Sequence, residues 1–284
     1  MQLIKNLSFN EERDLFKKSN LIIENCIFYN GESPLKESSN IKIHECVFSW
    51  KYPIWYSNNI SVENTVFHES ARSGIWYTNN ISIKNSVISA PKTFRRSSTI
   101  LLSNVQMFNA YESIWNSKHI KIENSQIKGD YFCMNSNEID IMDTSLSGNY
   151  AFDGAKNINI KNCKIESKDA FWNCENVHAE NCIITGEYIG WNSKNVTFKN
   201  CIIESEQGFC YMEDLFLIDC KIIKTDLAFE YSRVKGNILT DVESIKNPYL
   251  ANLSINGKTN LILNDNQIEK ENVNITYLNG EKNV

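Results

Sequence analysis

Hydrophobic and polar positions recur along the chain in one short block. The block reads Asn, aliphatic, any residue, aliphatic, any residue, Asn, small, any residue, large apolar, with clear copies at 20–28, 40–48 and 157–165. The first aliphatic positions of its copies are Leu21, Ile41, Ile60, Ile81, Ile100, Ile120, Ile139, Ile158, Val177, Val196, Leu215 and Val234. Successive copies are 19 to 21 residues apart, which indicates a repeat protein.

The spacing and the alternation predict the fold class. Within a block, apolar Ile158 and Ile160 alternate with polar Asn159 and Lys161, which is typical of a β-strand. Nineteen residues leave no room for a crossover helix, and a single short strand cannot bury its apolar face alone. We therefore predict an all-β protein, a single-stranded parallel β-helix (β-solenoid) of about twelve coils of 19–21 residues. The general preference of parallel connections predicts a right-handed turn.

Equivalent residues of successive coils should form columns. The second aliphatic position and the large apolar position are predicted to point inward, as at Ile160 and Ile165. The Asn of the block is predicted to form a turn ladder, because Asn tolerates left-handed backbone geometry and its amide can bond from coil to coil. Its members are Asn25, Asn64, Asn85, Asn104, Asn124, Asn162, Asn181 and Asn200, with Asp143 and Asp219 as substitutes.

The ends of the array are less regular than its middle. Residues 1–20 are predicted to form an N-terminal cap, in which Asn10 and the following EERDLFKK make either a helical turn or a degenerate coil. Residues 21–236 form the predicted β-helix, and 237–284 are predicted as a C-terminal cap with irregular last coils, all within one domain.

A second, more variable strand is predicted between the blocks. Its apolar column, which includes Ile54, Ile75 and Phe94, should point inward. By pleat alternation, the neighbouring column then points outward. The outward column contains Trp55, Trp76, Arg95, Trp115, Met134, Asp153, Trp172, Trp191, Cys210 and Phe229.

Aromatic rings interleaved with polar groups suit a long polyhydroxylated ligand, because sugar faces stack on rings and hydroxyls bind polar side chains. The predicted substrate-binding residues are Trp55, Trp76, Trp115, Trp172, Trp191, Tyr77, Arg95 and Arg96, with the arginines as holders of a uronate or phosphate. The alternative is a structural face that loops or a partner protein cover, and both interpretations stay open.

Four carboxylic acids are the predicted catalytic candidates. Glu187 and Glu206 occupy equivalent positions of adjacent coils and could lie about 5 Å apart, near the separation of a retaining glycosidase pair. Asp153 and Asp169 are offset by one coil, closer to an inverting arrangement. The alternative is that these acids lie at turns and simply point into water.

The net charge limits which partners are expected, and the cysteine content bears on the expected cellular compartment. A net charge of −5 argues against nucleic acid or an anionic membrane as the main partner. Residues 1–20 are rich in charge and lack the apolar run of a signal peptide, so the nine cysteines are predicted to be reduced thiols in a cytoplasmic protein. A linear stack of cysteines is poor zinc geometry, and we expect neither a metal nor another cofactor.

Several strings also resemble a known family. YPIWY at 52–56, KDAFWN at 168–173, GEYIGWNS at 186–193 and TDLAFEYS at 225–232, set among the Asn blocks, are similar to a bacterial domain family of unknown function. The resemblance covers nearly the whole chain. It implies a right-handed parallel β-helix of the pectin-lyase-like superfamily, and it implies no activity and no catalytic residues.

The sequence as a whole therefore predicts a cytoplasmic β-helix whose aromatic and acidic face binds, or acts on, a saccharide or glycosylated metabolite. If it is an enzyme, the expected activity is like that of a glycoside hydrolase or polysaccharide lyase. The alternative function is a non-enzymatic scaffold or protein-interaction module, including a homodimer.

Overall fold

A computed structural model describes residues 1–278 and contains almost only parallel β-strands. The chain is a parallel β-solenoid of about fifteen turns, which confirms the predicted fold class and exceeds the predicted twelve coils. The described residues form two compact units, one of Met1–Ser147 and one that begins at Gly148.

The first unit contains eight coils, each of which begins with a strand. These strands are Gln2–Lys5, Ser19–Glu24, Ser39–His44, Asn58–Glu63, Asn79–Ile88, Ser98–Met107, Lys118–Glu123 and Asn137–Met142. Short second strands follow at Ser8–Phe9, Ile27–Phe28, Val47–Phe48, Val66–Phe67, Gln126–Lys128 and Ser145–Ser147. A single 3₁₀ turn, Glu69–Ala71, lies among the described elements of this unit.

The second unit contains seven coils through residue 278. Their first strands are Lys156–Lys161, Glu175–Glu180, Lys194–Lys199, Glu213–Ile223, Arg233–Ile238, Leu250–Ile255 and Val273–Tyr277. The other strands are Lys164–Glu166, Ile183–Gly186, Ile202–Ser205, Ser244–Lys246 and Asn260–Ile262, and a 3₁₀ turn covers Lys270–Asn272.

The three additional coils lie at the ends of the repeat array. Gln2–Lys5 pairs in parallel with the strand that begins the first predicted coil, so a coil precedes Leu21. Two further coils follow Val234, because Leu250–Ile255 pairs with Arg233–Ile238 and then with Val273–Tyr277. Residues 11–17 form turns and no helix, which favours the predicted degenerate coil there. Residues 279–284 of the predicted C-terminal cap lie outside the described residues.

The alternation of apolar and polar residues explains why each block is a strand with one buried face. In Asn58–Glu63, Ile60 and Val62 are buried, whereas the polar residues between and beside them are exposed. Ile60 is in register with Ile41 on one side and with Ile81 on the other, so the buried side chains form continuous columns. Burial of each such side chain contributes roughly 1.5–3 kcal/mol.

The Asn turn ladder is present as predicted. Asn104 has a φ of 53° in the left-handed region, and its side-chain amide donates a hydrogen bond of 2.8 Å to the Asn85 side chain of the preceding coil. In the second unit, the Asn181 amide donates similarly to Asn162 at 3.3 Å. The ladder therefore supplies both the turn geometry and a hydrogen bond from coil to coil.

The predicted second strand is wrong as secondary structure. Residues 50–57 form bends and turns, and around Arg95 only isolated parallel bridges to Trp76 and Trp115 remain. The reason is left-handed backbone at Phe94 and Arg96, with φ of 61° and 48°, which interrupts the extended chain on both sides of Arg95. The predicted inward column is nevertheless correct, because Ile54, Ile75 and Phe94 are fully buried.

Buried hydroxyl groups complete the hydrogen bonding beside this bend, and the sequence analysis did not identify them. The backbone N–H of Thr78 donates to the Ser97 hydroxyl at 3.2 Å, and the N–H of Ser97 donates to the Ser117 hydroxyl at 3.2 Å. These side chains are at most 3% exposed. These hydroxyl groups accept hydrogen bonds from backbone N–H groups that would otherwise be buried without a partner.

Candidate functional site

An uninterrupted stack of side chains forms the aromatic face of the first unit. The rings of Trp55 and Trp76 are nearly parallel, with centroids 5.2 Å apart. The guanidinium of Arg95 then lies 5.0 Å from the Trp76 ring and 4.4 Å from the Trp115 ring. Both faces of Trp76 are therefore covered by its neighbours in the stack. The ring faces of Trp76, which were predicted to meet a sugar, contact another ring and a guanidinium.

Hydrogen bonds fix the orientation of these indoles. The Nε1–H groups of Trp55, Trp76 and Trp115 donate to the backbone carbonyls of Ser73, Lys92 and Tyr131 at 2.6, 2.7 and 2.5 Å. Each indole is half-buried and is attached by its edge to backbone. The predicted outward column thus lies on the surface, but its rings are held edge-on within a stack.

The two predicted anion-holding arginines have different surroundings. Arg95 donates to the Glu112 carboxylate at 2.6 Å, and Lys92 lies 3.3 Å from the same oxygen. Partial burial opposes ionisation of Glu112, but the hydrogen bonds of Tyr111 and Lys92 and the charges of Lys92 and Arg95 lower its pKa below the ordinary value. The Arg95 guanidinium is therefore already paired with a carboxylate of the protein.

Arg96 is exposed and lies 5.9 Å from the Tyr77 ring. Tyr77 stacks at 4.7 Å on Tyr56, with the two rings only 3° from parallel. This second stack, like the tryptophan stack, covers ring faces within the first unit.

The aromatic column of the second unit has a more open geometry. The ring centroids of Trp172 and Trp191 lie 6.0 Å apart with a 34° tilt, and Trp191 and Tyr211 lie 5.1 Å apart with a 45° tilt. Tyr231 and Tyr249 continue the series at 5.5 and 5.4 Å, with tilts of 38° and 44°. Tyr211 is 43% exposed and Tyr249 is 46% exposed, so both side chains contact solvent.

The predicted column needs a correction at its end. Phe229 is fully buried and stacks on the inward-facing Phe209 at 5.5 Å, so it belongs to the inner column. Glu230 takes the outer position, as shown by the bond from the Tyr211 N–H to the Glu230 carbonyl. One residue more between these two coils than in the preceding repeats causes this shift. Cys210 is also buried, although it keeps the outer position of its coil, as shown by the bond from the Asn192 N–H to the Cys210 carbonyl.

A cleft of about 550 Å³ lies along the tyrosines of the second unit. Its lining consists of Asn192, Tyr211, Met212, Glu213, Asp214, Tyr231, Arg233 and Tyr249. The Tyr231 hydroxyl donates to the Asp265 carboxylate at 2.8 Å, and this bond, with burial and the Asp265 charge, raises the pKa of Tyr231 to about 12. The cleft combines aromatic surface with amide, carboxylate and guanidinium groups. We call it the tyrosine cleft.

Sequence reasoning missed most of this cleft. Tyr231 and Tyr249 were not identified, because the column was followed through Phe229 rather than Glu230. The signal was nevertheless present: a Tyr follows the outer position at Tyr211 and again at Tyr231.

The four predicted catalytic acids lie on the second unit with different partners. Asp153 accepts a hydrogen bond of 2.8 Å from the Asn173 amide. Glu187 lies 3.1 Å from the Lys168 ammonium, and Glu206 is exposed. Glu187 and Glu206 follow the paired residues Gly186 and Ser205, which places them at equivalent positions of adjacent coils.

Asp169 differs from the other candidate acids, because it is only 2% exposed. Its Oδ1 has no hydrogen-bond partner among the described residues. Burial raises the pKa of Asp169 above its ordinary value; the Lys168 charge and a hydrogen bond from Tyr150 oppose the rise, and the Glu187 charge adds to it. Among the four acids, Asp169 has the environment expected of a proton donor.

Within residues 1–278, no three His, Cys, Asp or Glu side chains are grouped as ligands for a metal ion. No helix in the described part of the chain has the length and apolar character needed to cross a membrane.

Comparisons with known proteins give a family and two distant structures. No curated protein matches the sequence significantly. The A-module of the Azotobacter vinelandii mannuronan C-5 epimerase AlgE4 is 9% identical, covers 92% of this chain and 84% of its own, and has a TM-score of 0.30. The plasmid-mediated fluoroquinolone resistance protein QnrB1 is 11% identical, with coverages of 80% and 84% and a TM-score of 0.15. These scores are too low to carry an argument about function.

The family comparison covers nearly the whole chain. A family model described as protein of unknown function (DUF3737) matches residues 2–276. The match confirms the family resemblance of the sequence strings, and the chain belongs to the DUF3737 family.

Proposed function

We propose that the second unit binds a linear saccharide along its outer aromatic column, from Trp172 to the tyrosine cleft. The observation that carries the proposal is the tilted, partly exposed series Trp191, Tyr211, Tyr231 and Tyr249 beside a cleft of about 550 Å³. Tilted rings leave apolar surface for a sugar face, whereas the parallel stacks of the first unit do not.

The polar groups of the cleft suit hydroxyl-rich ligands. Asn192 supplies an amide that can donate and accept, Glu213 and Asp214 supply acceptors, and Arg233 supplies a cation for a carboxylate. The series from Trp172 to Tyr249 has one member in each of five coils. Its two ends therefore lie four coil spacings apart, which is about 19 Å at the usual strand spacing. A site of that length fits several linked sugar rings better than one small metabolite.

Replacing Tyr249 or Tyr211 by Ala should weaken binding of linear hexasaccharides. We would screen hexamers of glucose, mannose and galacturonate by glycan array and measure Kd for the best ligand by calorimetry. Loss of one ring–sugar contact should raise Kd about tenfold. Tyr29→Ala is the matched control, because Tyr29 is a 41% exposed tyrosine of the first unit.

Absence of binding across all three hexamer classes would contradict the proposal, as would equal affinities of wild type and both cleft variants. Light scattering tests the scaffold alternative. A tight homodimer or protein complex that protects Tyr211 and Tyr249 from modification would favour a protein-interaction surface instead.

A further inference from the structure

The buried carboxyl of Asp169 lies at one end of the proposed saccharide site. Asp169 precedes Trp172 by three residues in the same coil, and the Trp172 ring makes an edge contact at 6.0 Å with Tyr150. The Trp172 indole donates to the Tyr188 carbonyl at 2.7 Å, which fixes this end of the column. Asp169 occupies the position between Tyr150 and Tyr188, the equivalent residues of the adjacent coils.

We propose that Asp169 is the general acid of a glycoside-cleaving site on the second unit, an inference that rests on the proposed saccharide function. Its Oδ1 is buried and has no partner among the described residues, so it is free to hold a proton and donate it to a ligand oxygen. A structural carboxylate at this depth would be expected to have both oxygens paired.

The carboxyl groups of Asp169 and Glu187 have different surroundings. Lys168 lies 3.1 Å from Glu187 and forms an ion pair with it. Burial and the nearby Glu187 charge both disfavour the ionised form of Asp169 and so favour its neutral form. A neutral acid next to a carboxylate is the division of roles that acid–base hydrolysis requires.

The chemical step follows from these roles. The Asp169 carboxyl gives its proton to the glycosidic oxygen while the bond from that oxygen to the anomeric carbon breaks. The oxygen leaves as an alcohol, and a water molecule adds to the anomeric carbon. Glu187 accepts the proton released by the water and then loses it to solvent, and a proton from solvent restores Asp169, so one water is consumed for each bond cleaved.

The two charged groups that act on Asp169, Lys168 and Glu187, belong to one exposed ion pair. The side chains of Lys168 and Glu187 are 43% and 39% exposed, and such an ion pair holds its geometry weakly. The backbone at Gly186, directly before Glu187, is tightly packed, because a Cβ there would overlap the Ser167 carbonyl oxygen. A ligand can therefore displace the ion pair over a rigid coil.

The test measures cleavage of the hexasaccharide that binds most tightly, with products separated by chromatography. Asp169→Asn should lower kcat at least about 100-fold and leave Kd nearly unchanged. Glu166→Gln is the control, because Glu166 is an exposed acid of the same unit paired with Lys164 at 2.6 Å. The wild-type kcat should fall as pH rises above the pKa of Asp169, and Asp169→Asn should lose this dependence.

Tyr150→Phe provides a second variant that does not remove the acid. The Tyr150 hydrogen bond lowers the pKa of Asp169, so its loss should move the falling limb of the pH profile to higher pH. Retention of kcat by Asp169→Asn, or no cleavage of a hexasaccharide that binds, would overturn the inference. The second result would leave the proposed binding function standing, whereas absence of binding would contradict both.

Discussion

At the scale of single residues, the environment of Asp169 has a consequence for stability. Its pKa is raised in the folded protein, so the native state holds more protons than the unfolded state between the two pKa values. The stability contributed by neutral Asp169 is present at low pH and is lost as pH rises through the native pKa. Asp169→Asn should therefore raise the free energy of unfolding by about 1 kcal/mol near pH 7 and by much less near pH 3. Urea denaturation at both pH values measures this difference. Equal destabilisation at both would indicate a structural carboxylate.

At the scale of elements, the inner phenylalanine column carries much of the packing of the first coils. The ring centroids of Phe9, Phe28, Phe48 and Phe67 are separated successively by 4.8, 4.5 and 4.9 Å, with nearly parallel planes. Phe48 is fully buried between two rings, so Phe48→Ala should lower the free energy of unfolding by about 3–5 kcal/mol. Phe108→Ala, at a 55% exposed Phe, should change it by less than about 0.5 kcal/mol. Chemical denaturation followed by circular dichroism compares them, and similar losses would contradict a packed ladder.

At the scale of the whole molecule, none of the nine cysteines forms a disulfide, and all nine are buried. Desolvation raises the pKa of Cys46 to about 11 and of Cys210 to about 12, and it raises that of Cys174 further. Because the thiolate is the reactive form, a thiol reagent at neutral pH should label the native protein at least about 100-fold more slowly than the urea-unfolded protein. Mass spectrometry counts the labelled thiols. Rapid native labelling of several cysteines would show that the interior opens readily.

The repeat period, the inward columns and the Asn ladder were predictable because each depends on local signals repeated in every coil. Alternation decides which face Ile60 and Val62 bury, and the left-handed preference of Asn decides where the chain turns. The family was also recognisable from short strings around the aromatic residues. The predicted strand beside Arg95 was wrong because left-handed residues on both sides of it bend the chain without changing the alternation of faces.

Other features were decided only by the tertiary structure, because they depend on side chains one coil away. Whether an indole offers its face to a ligand is set by the ring or guanidinium stacked on it, as Trp76 shows between Trp55 and Arg95. The single-residue shift that moves Phe229 inward reveals the tyrosine cleft. The burial of Asp169 among residues of three coils cannot be deduced from its place in the repeat. Sequence alone therefore determined the columns, and the packing between neighbouring coils determined which of their groups meet solvent.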